Sequence, residues 1–80
     1  MMRLNVKFFA SLSEQTGLSE TTVDTGSEAT VLDIWNQATG HQALPPNTLC
    51  AINMSYAHLE DRASDGDEIA FFPPVTGGSA

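Results

Sequence analysis

Only one segment longer than a turn or two carries a helical period, between Thr30 and Gly40, while the remaining apolar stretches follow strand patterns. A chain of this kind has to fold as one helix against one sheet. Thr30 followed by Asp33 resembles a capping box, and Gly40 supplies a stop. Val31, Leu32, Trp35 and Ala38 are expected to share the buried stripe, with Trp35 anchoring it to the sheet.

Strand patterns frame that helix. Over residues 3–9, Leu4, Val6 and Phe8 fall on one face and Arg3, Asn5 and Lys7 on the other, until Phe9 breaks the alternation. Ser11 and Glu14 have capping-box spacing and Gly17 can close a turn, which predicts a short helical turn over 11–16. Residues 20–25 are rich in β-branched side chains and end at Gly26-Ser27, a second and more exposed strand pairing with the first. Leu44-Pro45-Pro46-Asn47 reads as a loop into a third strand over 49–52. A turn at Asn53-Met54-Ser55, a very short strand at Tyr56-Ala57 and a turn over 64–67 precede the last strand, 68–72, which Pro73-Pro74 ends. The order predicts an α+β fold, a β-grasp (ubiquitin-like) roll whose mixed sheet packs on one main helix. The strands over 4–9 and 68–72 belong side by side at its centre. Eighty residues suit one domain, expected over 1–74 with a flexible tail over 75–80.

Ten acidic residues against three basic ones give a net charge of −7, the wrong sign for nucleic acid or an anionic membrane. The single cysteine, Cys50, cannot form an internal disulfide, and the cytoplasm is the expected compartment. No apolar run approaches the ~20 residues that span a bilayer, and the first ten residues lack a cleavable apolar stretch. His41 and His58 stand apart without metal-ligand spacing. Cys50 has no base near it in sequence and reads as a buried thiol. The acidic group Glu60, Asp61, Asp65, Asp67 and Glu68 lacks the spacing of a calcium loop and reads as a solvated face, or as a means of steering towards basic partners.

Two features lack a purely structural use. If Leu4, Val6, Phe8, Ile69 and Phe71 face the helix, then Phe9 and Phe72 point the other way, to be covered by loops or to form a contact patch for partners. The tail carries Gly77-Gly78 after Val75-Thr76. Its composition suits a linker, and it equally suits a backbone that threads a narrow channel and presents a carboxylate to another protein's active site. From Pro73 to Gly78 the reach is at most ~20 Å.

The stretch DGDEIAFFPPVTGG, residues 65–78, resembles the C-terminal signature of the small subunits of molybdopterin synthase, a family of ubiquitin-like sulfur carriers. LNVKFFASLSEQTG, residues 4–17, resembles that family's first strand and turn, and Cys50-Ala51-Ile52-Asn53 its third strand and asparagine turn. Residues 18–49 match in pattern only. A related thiamine sulfur carrier shares the fold and the Gly-Gly, but Phe-Phe-Pro-Pro points to the molybdenum pathway.

The resemblance implies a sulfur carrier that is not an enzyme on its own. An adenylating enzyme of the ubiquitin-activating type would use ATP on the carboxylate of Gly78, beside Gly77, and a sulfur donor would convert it to a thiocarboxylate. The large subunit of molybdopterin synthase would then use that sulfur to build the dithiolene of molybdopterin from a cyclic pyranopterin phosphate. No cofactor or metal is implied for this chain. The resemblance adds Tyr56 to Phe9 and Phe72 as contact residues, with Pro73, Pro74, Val75 and Thr76 leading the tail into the partner. Ser79-Ala80 depart from the pattern: they are removed by a protease, foreign to the natural chain, or the mark of a copy that is not a carrier. A ubiquitin-like adaptor, a protein modifier joined through Gly78, and a carrier for thiamine or tRNA thiolation are the other readings.

Overall fold

The computed structural model describes residues 1–74, which run β1 (Met2–Phe8), α1 (Ser11–Thr16), β2 (Glu20–Thr25), α2 (Val31–Thr39), β3 (Leu49–Ile52), β4 (Ser55–Ala57) and β5 (Glu68–Phe72). The strands form one sheet in the order β2-β1-β5-β3-β4. Its central pair, β1 and β5, is parallel and the other pairs are antiparallel. This is the mixed β-grasp sheet expected from the pattern, with the two most apolar strands bonded on both edges.

Alternation sends Met2, Leu4, Val6 and Phe8 of β1 into the core, where Ile69 and Phe71 of β5 join them. Helix α2 closes over that layer with Val31, Ile34 and Trp35. Trp35 is fully buried, edge-on to Phe8 at 5.6 Å and to Phe71 at 5.0 Å between ring centroids. Its Nε1 donates to the Gln42 carbonyl at 2.8 Å, so burial leaves no polar atom of the ring unpaired.

The ends of α2 follow the sequence. Asp33 N–H donates to Thr30 Oγ1 at 3.2 Å and Thr30 N–H to Asp33 Oδ2 at 3.1 Å, while Gly40 closes the helix at φ 70°. Its stripe differs in one place. Leu32 is 39% exposed and Ile34 is buried instead, because position 32 lies about 100° around the helix from Val31 whereas 34, 35 and 38 stay close to it.

The start of α1 also differs. Its N-cap is Ala10, with no side-chain bond, so the expected box between Ser11 and Glu14 does not form. A turn closed from Leu12 N–H to the Phe9 carbonyl at 3.1 Å places Ser11 already inside the helix. That turn also ends β1 at Phe8, although Phe9 N–H still donates to the Phe71 carbonyl at 3.1 Å. No helix of the described residues is long and apolar enough to cross a membrane.

Candidate functional site

The side chains that the sheet turns away from α2 make an outer face of two unlike halves. On β2 and β1 the face is polar: Asp24 lies beside Arg3, Thr22 beside Asn5 and Glu20 beside Lys7. Lys7 Nζ reaches across to Glu68 Oε1 on β5 at 3.6 Å, and beyond that pair the face turns apolar.

Register builds the apolar half. Ala70 on β5 pairs with Ala51 on β3, Ala51 with Tyr56 on β4, and Leu49 with Phe72. Phe9 stacks on Phe72 at 5.1 Å and 11° between ring planes, and Tyr56 meets Phe72 edge-on at 6.3 Å. With Met54 and Glu68 these residues enclose a groove of about 290 Å³. The alanines are buried, whereas Phe9 is 42%, Tyr56 77% and Met54 91% exposed, and Phe72 is half-buried. Phe9, Tyr56 and Phe72 are therefore one cluster on the outer face, as alternation requires for Phe9 and Phe72. Ala51, Ala70 and Met54 complete the groove and were not singled out in the sequence, although alternation already puts residue 70 on the face of residue 72.

Two backbone turns beside the groove are strained. Ala10, next to Phe9, has φ 52° and ψ −130°, a conformation that favours glycine. Asn53 and Met54 both have positive φ, 51° and 71°, in the two-residue connection between β3 and β4. Asparagine suits that geometry, whereas methionine gains nothing from it locally. Of the five non-glycine residues with positive φ among the described residues, these three lie beside the groove, while His41 and Asn47 lie between α2 and β3.

The acidic group is more than a solvated face. Asp65 Oδ1 accepts from Arg3 N–H at 2.8 Å, and Asp67 accepts from Ser64 N–H at 2.7 Å and from Asn53 Nδ2 at 2.8 Å. Asn53 Oδ1 in turn accepts from Glu68 N–H at 2.9 Å, so these residues tie the turn before β5 to the turn after β3. All three basic residues have acidic partners: Arg3 with Asp24 at 3.0 Å, Lys7 with Glu68, and Arg62 with Glu28 at 2.8 Å. The net charge of −7 thus resides in acids without a cation.

Cys50 is buried on the inner side of β3 and its Sγ donates to the Ala57 carbonyl at 3.2 Å. Burial, then the charges of Asp61 and Glu60, push its thiol above the ordinary value, the opposite of what a nucleophile needs. His41 and His58 are exposed, and His58 Nδ1 lies 3.7 Å from Asp61 Oδ2. No group of three His, Cys, Asp or Glu able to hold a metal occurs among the described residues. Directly after Phe72, Pro73 is half-buried and Pro74 exposed. Val75, Thr76, Gly77 and Gly78, named from the sequence as tail residues, lie outside the described residues.

Comparison with known proteins covers almost the whole chain. The molybdopterin synthase sulfur carrier subunit of Chlamydomonas reinhardtii is 34% identical over 83 residues, spanning 96% of this chain and 100% of that protein. The subunit of the same name from Haemophilus influenzae is 40% identical over 80 residues, 94% of this chain and 99% of that one. The crystal structure of small archaeal modifier protein 1 from Haloferax volcanii superposes with a TM-score of 0.80 at 30% identity, covering 94% of this chain and 100% of that chain. The ThiS family profile matches residues 6–78, from β1 through the Gly-Gly pair, and by that match the chain belongs to the ThiS family.

Proposed function

We propose that this chain is the sulfur carrier subunit of molybdopterin synthase, docking through its aromatic outer face and bearing sulfur on the carboxylate of Gly78. Likeness to two named subunits along nearly their whole length supports the reading. The observation that carries it is the position of the groove. Phe72 forms its wall, and the chain leaves Phe72 through Pro73 and Pro74 towards Gly77 and Gly78. A docking face at the root of the tail lets the body stay outside a partner's pocket while a segment of at most ~20 Å enters it. Glycines at 77 and 78 bring no side chain to obstruct a narrow channel.

The chemistry needs no acid or base from this chain. A carboxylate oxygen of Gly78 attacks the α-phosphorus of ATP in the adenylating enzyme, and pyrophosphate leaves. Sulfide-level sulfur from a donor then displaces AMP, leaving a thiocarboxylate, a better nucleophile than a carboxylate at neutral pH. In the large subunit that sulfur bonds to the pyranopterin precursor, and water cleaves the acyl–sulfur bond, so the sulfur stays on the precursor and the carrier returns as a carboxylate. ATP belongs to the activating enzyme, the carrier binds no cofactor of its own, and it is a donor subunit rather than an enzyme alone. Neither nucleic acid nor membrane is a partner in this reading, and ATP-dependent loading of a chain with one reduced thiol fits the cytoplasm.

Likeness to small archaeal modifier protein 1 supports a second reading, in which the activated Gly78 acylates an amine. The two differ in the acceptor. A chain ending at Gly78, supplied with adenylating enzyme, ATP, sulfur donor, large subunit and cyclic precursor, should exchange oxygen for sulfur by mass and support molybdopterin formation. Lysine conjugates without sulfur gain would favour the modifier instead.

A further inference from the structure

We propose that the outer-face groove is a socket for one large apolar side chain of the large subunit, carried there beside a cation that meets Glu68. The inference rests on the docking-face reading above and adds the chemistry of the partner surface. The floor comes first. Ala70 and Ala51 are register partners on adjacent strands, and both are buried under taller neighbours, Phe72, Tyr56 and Met54. Alanine on two neighbouring strands makes a hollow, where larger residues would make a flat patch.

Shape bears on what fills it. The groove, about 290 Å³, is open rather than enclosed, with an alanine floor and apolar walls. Ligand sites bury most of a small molecule's surface, whereas an open apolar hollow suits a side chain protruding from a partner surface. One wall is already shaped, since Phe9 is stacked on Phe72 and Tyr56 meets Phe72 edge-on. A preformed apolar wall beside a hollow is what an anchor residue requires.

Charge decides what stands next to the anchor. Glu68 lines the groove and shares one cation, Lys7, at 3.6 Å, which leaves its carboxylate able to accept further hydrogen bonds. The other two basic side chains are engaged by Asp24 and Glu28, so no lysine or arginine among the described residues is left free for the rim. An acidic flank on the partner would be repelled by a carrier of net charge −7, and a basic one drawn in.

Calorimetric titration of the purified large subunit tests the socket. Ala70→Leu and Ala51→Leu each fill the hollow with a side chain of this chain's own, and each should weaken binding about tenfold or more while the chain still unfolds in a single cooperative transition. Either variant alone is sufficient if the other fails to fold. Thr22→Leu adds similar bulk on the polar half of the same face and should leave binding unchanged. Glu68→Gln should weaken binding about threefold and flatten its dependence on salt. Parent-like affinity in a folded leucine variant would overturn the socket while leaving the docking face standing. A parent chain that does not bind the large subunit at all would overturn both.

Discussion

The two faces of the sheet are made by the same strands yet are finished differently. On the inner face Leu4, Val6, Phe8, Ile69 and Phe71 are sealed by α2, and Trp35 has no exposed surface. On the outer face the alternate residues of those strands divide into a charged half and an aromatic half that no helix of the described residues covers. Folding accounts for every apolar residue of the first face. It does not account for Phe9, Met54, Tyr56 and Phe72, whose exposure costs solubility and returns little packing. Apolar side chains thus serve stability on one face and, in the docking reading proposed above, partner binding on the other, and only the register tells which is which.

The comparison breaks most readily at its centre. Trp35→Ala should cost about 3–5 kcal/mol by urea denaturation, a large part of what a domain of this size possesses. If it costs little, the inner face is not the core. Next, Phe72→Ala should reduce affinity for the large subunit by about 2 kcal/mol or more. Its fold should lose only about 1 kcal/mol, from the stack with Phe9. A mutant that melts far below the parent would place Phe72 with the core.

Smaller effects sharpen the contrast. Ala10→Gly relieves the strained turn behind Phe9, and after glycine's own entropic cost the fold should gain about 1 kcal/mol by denaturation. Binding should then weaken slightly as Phe9 loses its fixed placement, so stability and docking move in opposite directions. The smallest effect belongs to Cys50. Its thiol is held above the ordinary value of 9.0 by burial, so the folded state keeps a proton that the unfolded state releases. That contribution is complete below the unfolded value and is lost as pH rises towards the folded one. Alkylation of Cys50 in the native protein should accordingly be slow at pH 8 and fast in denaturant, and rapid native labelling would mean an open inner face.

Much of this was legible in the sequence because the decisive residues have few alternatives. Gly17 and Gly40 ended their helices, Thr30 with Asp33 began one, and Pro73-Pro74 closed the sheet, each through backbone chemistry that is local. Phe9 and Phe72 followed from a period of two. What was hidden depends on partners distant in sequence. Alanine does not advertise the positive φ of residue 10, and the exchange of Leu32 for Ile34 is a matter of angle around α2. The groove floor exists only because β3 pairs with β5 in a register that puts Ala51 beside Ala70, and no local signal sets that register. The roles proposed for Gly77 and Gly78 come from likeness and chemistry, since both lie outside the described residues.

The claim that Gly78 bears the sulfur is tested most directly by intact mass. Two chains, one ending at Gly78 and one of 80 residues, would be incubated with ATP, the adenylating enzyme and a sulfur donor. Gly78 has a carboxylate to adenylate only where it ends the chain, and the glycine-wide channel proposed here has no space for the side chains of Ser79 and Ala80. The oxygen-for-sulfur gain should therefore appear in the chain ending at Gly78 and be absent from the 80-residue chain. Sulfur gain by the 80-residue chain, with no trimmed species in the spectrum, would contradict the account.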